Sequence, residues 1–189
     1  MFRAQSGPLA RACANTQRSS LKLGFGLRRF SYSPAWLQHL PVQISGQGTG
    51  TIQTVSVKDK PFKFSTDAYT VLGGKESHPS PIAYSLASLS SCNQVTGFVV
   101  AKDHGITLGE WSVAVEGQMP TAVFVGGEEG NPNWKSIVLK VRVQSDIKGG
   151  NDDAKFQHFV KEVERRCPMT ALFKRSGIAY TSEWINEPL

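Results

Sequence analysis

The sequence predicts an α+β fold, and three observations carry that expectation. β-rich segments gather before and after a long apolar stretch, residues 82–104, rather than alternating with helices one for one. That stretch is apolar nearly all round, which marks a helix enclosed by other elements. A second helical pattern, residues 152–166, is apolar along one side only, so it covers a core with one face. The order read from these segments is β-β-α-β-β-β-α-α-β, which disfavours a parallel βαβ sheet.

Each element has its own warrant. From about residue 42 to 65 the chain reads as strands. Thr51, Thr54, Val55 and Val57 make 49–57 β-rich, and Lys58-Asp59-Lys60 is a polar turn before Phe62-Lys63-Phe64. The loop Gly73-Gly74-Lys75-Glu76-Ser77-His78-Pro79-Ser80-Pro81 is dense in chain breakers. Ser80 is suited to cap a helix and Pro81 to occupy its first position. The helix continues through Ile82, Leu86, Leu89, Val95, Phe98, Val99 and Val100, and Gly105 supplies a left-handed stop. Trp111, Val113 and Val115 alternate with polar residues, as do Ile137, Leu139, Val141 and Val143, with the loop 126–133 between them. Phe156, Phe159, Val160 and Val163 recur at helical spacing in 152–166. A short helix over 168–176 is closed by Gly177, and a final strand spans 178–185.

Composition bounds the function. Hydrophobic residues make up 40% of the chain, enough for a real core, and no apolar run is long enough for a membrane span. The net charge of +6 is not spread over the domain. Residues 1–58 hold no acid, while Arg3, Arg11, Arg18, Lys22, Arg28 and Arg29 precede position 31. Without these, bases and acids balance, so no nucleic-acid footprint remains. An Arg-rich, acid-free, Ser-containing leader is the composition of a mitochondrial presequence, and Leu27-Arg28-Arg29-Phe30-Ser31-Tyr32-Ser33 resembles a matrix-processing site. The expected division is a cleaved presequence over 1–30, a linker over 31–48 and a folded domain over 49–189, in the mitochondrial matrix.

Three cysteines are present, Cys13, Cys92 and Cys167. Cys13 falls in the leader. In a reducing matrix the other two are not expected to form a static disulfide. Cys92 lies inside the apolar helix, where a cysteine by itself reads as a small buried hydrophobe with a raised pKa. Cys167 directly precedes Pro168, at the N-terminus of the short helix and beside Arg165 and Arg166; each influence favours thiolate. His78 could reach Cys92 as a base, although a solvated loop residue explains it as well. Cys92, Cys167 and His78 include metal-ligating types, but they lack any CxxC spacing, and no metal is expected. Gly73-Gly74 and Gly126-Gly127 are turns rather than phosphate loops. Trp111 and Trp134 read as packing residues.

The run Ser80-Pro81-Ile82-Ala83-Tyr84-Ser85-Leu86-Ala87-Ser88-Leu89-Ser90-Ser91-Cys92 resembles the helix signature of the OsmC/Ohr family (osmotically inducible protein C and organic hydroperoxide resistance proteins). Cys167-Pro168-Met169 with Leu172-Phe173 is similar to the family's second motif, and Gly73-Gly74 and Gly105-Ile106 fit as well. The resemblance spans roughly residues 50–185. It implies a long cysteine-bearing helix wrapped by antiparallel sheets in an intertwined homodimer, with sites at the subunit interface. It also implies a thiol-dependent peroxidase in which Cys92 is peroxidatic and Cys167 resolving. The substrate would be an organic hydroperoxide or hydrogen peroxide, and the recycling agent an external dithiol, dihydrolipoamide-like or thioredoxin-like, with no bound cofactor. The catalytic type pairs a glutamate two residues after the helix-opening proline with an arginine from an early strand. This chain carries Ala83 at that position and no arginine between Arg29 and Arg142. Lys58, Lys60 or Lys63 could supply positive charge, without the planar fork of arginine. The alternative is therefore an OsmC-like ligand-binding or redox-sensing protein without catalysis.

Overall fold

The structure, a computed structural model, describes residues 39–189; the expected presequence, Cys13 and residues 31–38 of the expected linker lie outside the described residues. The first sheet is an antiparallel meander of β1 (Ile44–Thr49), β2 (Ile52–Val57) and β3 (Lys63–Thr66). Gly50, at φ 62°, permits the two-residue turn that sets Thr49 opposite Ile52. β1 thus falls within the stretch from residue 42 that reads as strand, and it begins before residue 49, where the folded domain was expected to start. Ser45, Gly46, Gln47 and Gly48 carry no apolar alternation, and they become strand only because β2 offers its edge. Three strands therefore precede the central helix rather than two.

The helix α1 (Pro81–His104) starts where expected. The Ser80 hydroxyl accepts from the Ala83 amide at 3.1 Å, and Gly105 closes the helix at φ 60° with its amide on the Ala101 carbonyl. The second sheet holds β4 (Leu108–Gln118), β5 (Ser136–Ser145) and β6 (Ala179–Pro188), with β5 in the middle. A one-turn helix, α2 (Thr121–Phe124), lies between β4 and β5. Two strands, not three, therefore separate α1 from α3 (Ala154–Arg166).

β4 and β5 pair antiparallel, but β5 and β6 pair parallel, contrary to the expectation. The physical reason is the connection. α3 and the following α4 (Pro168–Arg175) form a crossover that returns the chain to the end of the sheet where β5 began. Ile137, Leu139, Val141 and Val143 of β5 are buried on the helix-covered face, while Lys140 and Arg142 point to solvent. Two apolar clusters share this face. Val100, Ala101, Val143, Phe156, Phe159 and Val163 form one; Leu89, Ile137, Leu139, Val141 and Phe173 form the other. Trp111 and Trp184 adjoin both, and their rings meet edge to face at 5.7 Å. Trp134 packs on the second cluster, in line with its reading as a packing residue.

The expectation that α1 is enclosed on all sides holds for one face only. Leu89, Asn93, Thr96, Gly97, Val100 and Ala101 are buried against the sheet and helices. On the opposite side Val95, Phe98 and Val99 stay 65%, 67% and 41% exposed. Apolar residues on both faces of one helix need two coverings, and a single chain supplies one.

Candidate functional site: a thiol pair between α1 and α4

The local chemistry of Cys167-Pro168 sets one side of the site. Proline occupies the first position of α4, and the Cys167 sulfur caps the helix by accepting from the Thr170 amide at 3.5 Å. Cys167 is fully buried. Cys92, three turns into α1, is half-buried, and both thiols are free.

The fold brings these two residues together. The Cys92 thiol adjoins the backbone amide of Met169, the Cys167 thiol and the hydroxyl of Thr96. The first turn of α4 therefore serves both sulfurs, Met169 facing Cys92 and Thr170 facing Cys167. Such amides favour negative charge on sulfur. Burial acts in the other direction and prevails: it pushes the Cys92 thiol above its ordinary value, as does the neighbouring Cys167, while the Met169 amide and the Thr96 hydroxyl pull it down. The groups acting most on Cys92 are thus a backbone amide, a second thiol and a hydroxyl.

His78 is placed elsewhere. It lines a hollow at the N-terminal end of α1 with Asp67, Tyr69, Glu76 and Ala83, and it is not among the groups acting on Cys92. Eleven residue steps of helix lead from Pro81 to Cys92, about 16 Å of axis. Lys58 and Lys60 lie in the β2–β3 turn and Lys63 at the start of β3; none acts on Cys92. Among the described residues no group of three His, Cys, Asp or Glu is arranged to hold a metal ion, and no helix is long and apolar enough to cross a membrane.

Sequence reasoning missed four residues. Thr96 sits four positions after Cys92 and therefore on the same helical face, a spacing that could have flagged it. Asn93 and Thr170, both fully buried, carried no sequence signal. Asp67 was also missed. Its carboxylate accepts from the hydroxyls of Thr51 and Ser77 at 2.8 Å each and from the amides of Ala68, Lys75 and Ser77 at 2.7, 3.1 and 3.0 Å. The Gly73–Ser77 loop wraps it, shutting it from solvent near the surface rather than deep in the interior. The Ser77 amide leads the set of donors that hold this carboxyl far below the usual carboxylate range. This carboxylate thus organises the loop that leads into α1.

Comparisons with known proteins bear on the fold. The sequence model of the family described as OsmC-like protein matches residues 74–183, more than half of the chain. None of the curated proteins matches. Among solved structures, an OsmC-like protein from Mycoplasma pneumoniae superposes with a TM-score of 0.64 at 18% identity, covering 78% of this chain and 97% of its own. An organic hydroperoxide resistance protein from Elizabethkingia anophelis gives 0.59 at 16% identity, with coverage of 79% and 98%. An organic hydroperoxide resistance protein, OsmC, from Legionella pneumophila gives 0.58 at 15% identity, with coverage of 77% and 96%. These likenesses carry the fold, and the family match covers both cysteine helices. The chain belongs to the OsmC-like protein family.

Proposed function

We propose that this chain is a thiol-dependent reductase of organic hydroperoxides and hydrogen peroxide, with Cys92 as the peroxidatic and Cys167 as the resolving thiol. One observation carries the reading: two free thiols adjoin each other, and only Cys92 is reachable from solvent. Relatives of the same fold that are named organic hydroperoxide resistance proteins support the substrate class.

The Cys92 thiolate attacks one peroxide oxygen and the O–O bond breaks. Sulfur loses two electrons and becomes sulfenic acid, and the departing alkoxide takes a proton as the alcohol. Cys167 then attacks that sulfur, an S–S bond forms, and hydroxide leaves as water with the Cys167 proton. An external dithiol, dihydrolipoamide-like or thioredoxin-like, returns both thiols and becomes the disulfide. A second copy of the chain covers the Val95, Phe98 and Val99 face of α1, and the acid-free leader directs the protein to the mitochondrial matrix.

The test uses purified protein, cumene hydroperoxide and dithiothreitol. Consumption should vanish in Cys92→Ser, while Cys167→Ser should accumulate a sulfenic acid at Cys92. Because burial raises the Cys92 pKa, the thiolate fraction grows with alkalinity, so oxidation should still be accelerating at pH 9.0, the ordinary thiol value. Unchanged free-thiol counts after peroxide treatment would remove the reading.

A second reading, redox sensing or ligand binding, is favoured by Ala83 standing where the catalytic type carries a glutamate and by the lack of an arginine between Arg29 and Arg142. An apolar hollow of ≈ 360 Å³ beside Tyr69, Leu72, Pro81, Ile82 and Phe124 adds to it. Under this reading the thiols oxidise without turnover.

A further inference from the structure

Cys92 and Cys167 are each followed closely by a polar residue that has no ordinary place in a core. Asn93, next to Cys92, and Thr170, three residues after Cys167, are both fully buried. A buried amide is costly unless its hydrogen-bonding capacity is used. Asn93 uses both amide protons: Nδ2 donates to the Leu89 carbonyl at 2.9 Å and to the Thr170 hydroxyl at 3.2 Å. The Leu89 carbonyl can only accept, so the amide nitrogen faces it, and the Asn93 Oδ1 is left buried without a hydrogen-bond partner among the described residues. The Asn93–Thr170 contact is the one side-chain hydrogen bond between α1 and α4 among the described residues. The Thr170 amide meanwhile holds the Cys167 sulfur, and the adjacent Met169 amide faces Cys92.

We propose that Asn93 and Thr170 are positioning residues, a buried amide–hydroxyl clamp that fixes α1 against α4 and so sets how the two thiols approach each other. Thr170 is its centre, joined through its hydroxyl to the residue beside one cysteine and through its amide to the other. Residues packed only by shape would let the two helices slide; a directional bond across the seam resists that. The inference rests on the two thiols being a redox pair, and it is independent of which oxidant the pair meets.

The test measures how readily the pair closes, without peroxide. Protein dithiol is equilibrated with glutathione disulfide: the two protein thiols give up two protons and two electrons and form one S–S bond. The glutathione disulfide bond breaks, releasing two glutathione thiols. Thr170→Val keeps the shape and removes the hydroxyl; the equilibrium constant should fall at least ~10-fold, since small displacements of reacting atoms cost up to ~100-fold. Thr170→Ser, which keeps the hydroxyl, should stay within about two-fold of wild type if the bond rather than the methyl group matters. Asn93→Leu, which removes the other partner, should repeat the Thr170→Val loss, and it carries the measurement if circular dichroism shows Thr170→Val unfolded.

A Thr170→Val constant equal to wild type would overturn the clamp, as would a Thr170→Ser loss as large as that of valine. A wild-type protein that forms no Cys92–Cys167 disulfide in glutathione would overturn it too. If the pair closes and is weakened by Thr170→Val, yet cumene hydroperoxide goes unconsumed, the clamp is supported and only the peroxidase reading fails.

Discussion

Gly97, in the middle of α1, offers the most direct test of how closely this helix must approach the sheet. A methyl group at that position would lie 2.5 Å from Cη2 and 2.7 Å from Cζ3 of Trp111, about an ångström inside ordinary carbon contact. The indole cannot swing away freely, because Trp184 and Phe159 meet it edge to face at 5.7 and 6.4 Å. Forcing a methyl group into such packing costs about 1–3 kcal/mol. Alanine recovers about 1 kcal/mol of helix propensity over glycine. Gly97→Ala should therefore destabilise the domain by up to about 2 kcal/mol, and Cys92, on the same rigid helix, should shift against α4. Urea denaturation measures the first effect. In a Trp111→Phe background the offending ring atoms are gone, and the same substitution should become stabilising by up to about 1 kcal/mol. The reasoning is refuted if Gly97→Ala raises stability beside Trp111, or if its effect has the same sign in both backgrounds.

Two further outcomes are expected. The second copy proposed to cover the exposed face of α1 should be lost in Phe98→Lys, seen as a fall to monomer in analytical ultracentrifugation, since burying that ring contributes about 1.5–3 kcal/mol per copy; a sedimentation coefficient equal to that of wild type would overturn that placement. Asp67 has a folded pKa depressed by its donors, so its stabilising effect is complete above the unfolded value of 3.8 and drains away as pH falls below it. The Tm of wild type should accordingly drop more steeply below pH 3.8 than that of Asp67→Asn, which should already be the less stable of the two at pH 7; parallel Tm curves would show that Asp67 does not carry that dependence.

Much of this protein is written in local signals. Ser80-Pro81 and Gly105 bound α1 because a cap, a pre-set φ and a left-handed stop are properties of the residues themselves. Cys167-Pro168 opens α4 for the same reason, and the alternation of Ile137, Leu139, Val141 and Val143 marks β5 as a core strand. Both thiols could be picked out by type and by family resemblance. What sequence periodicity left open was pairing. The parallel register of β5 and β6 depends on where a crossover of two helices returns the chain. Periodicity counts apolar positions without saying what covers them, so α1 read as enclosed although one of its faces is bare in the single chain. The adjacency of Cys92 and Cys167, the amides of Met169 and Thr170 between them, and the Asn93–Thr170 bond are long-range contacts. Such contacts exist only once α1 and α4 have packed, because no local preference of the chain can bring two distant helices to a common seam.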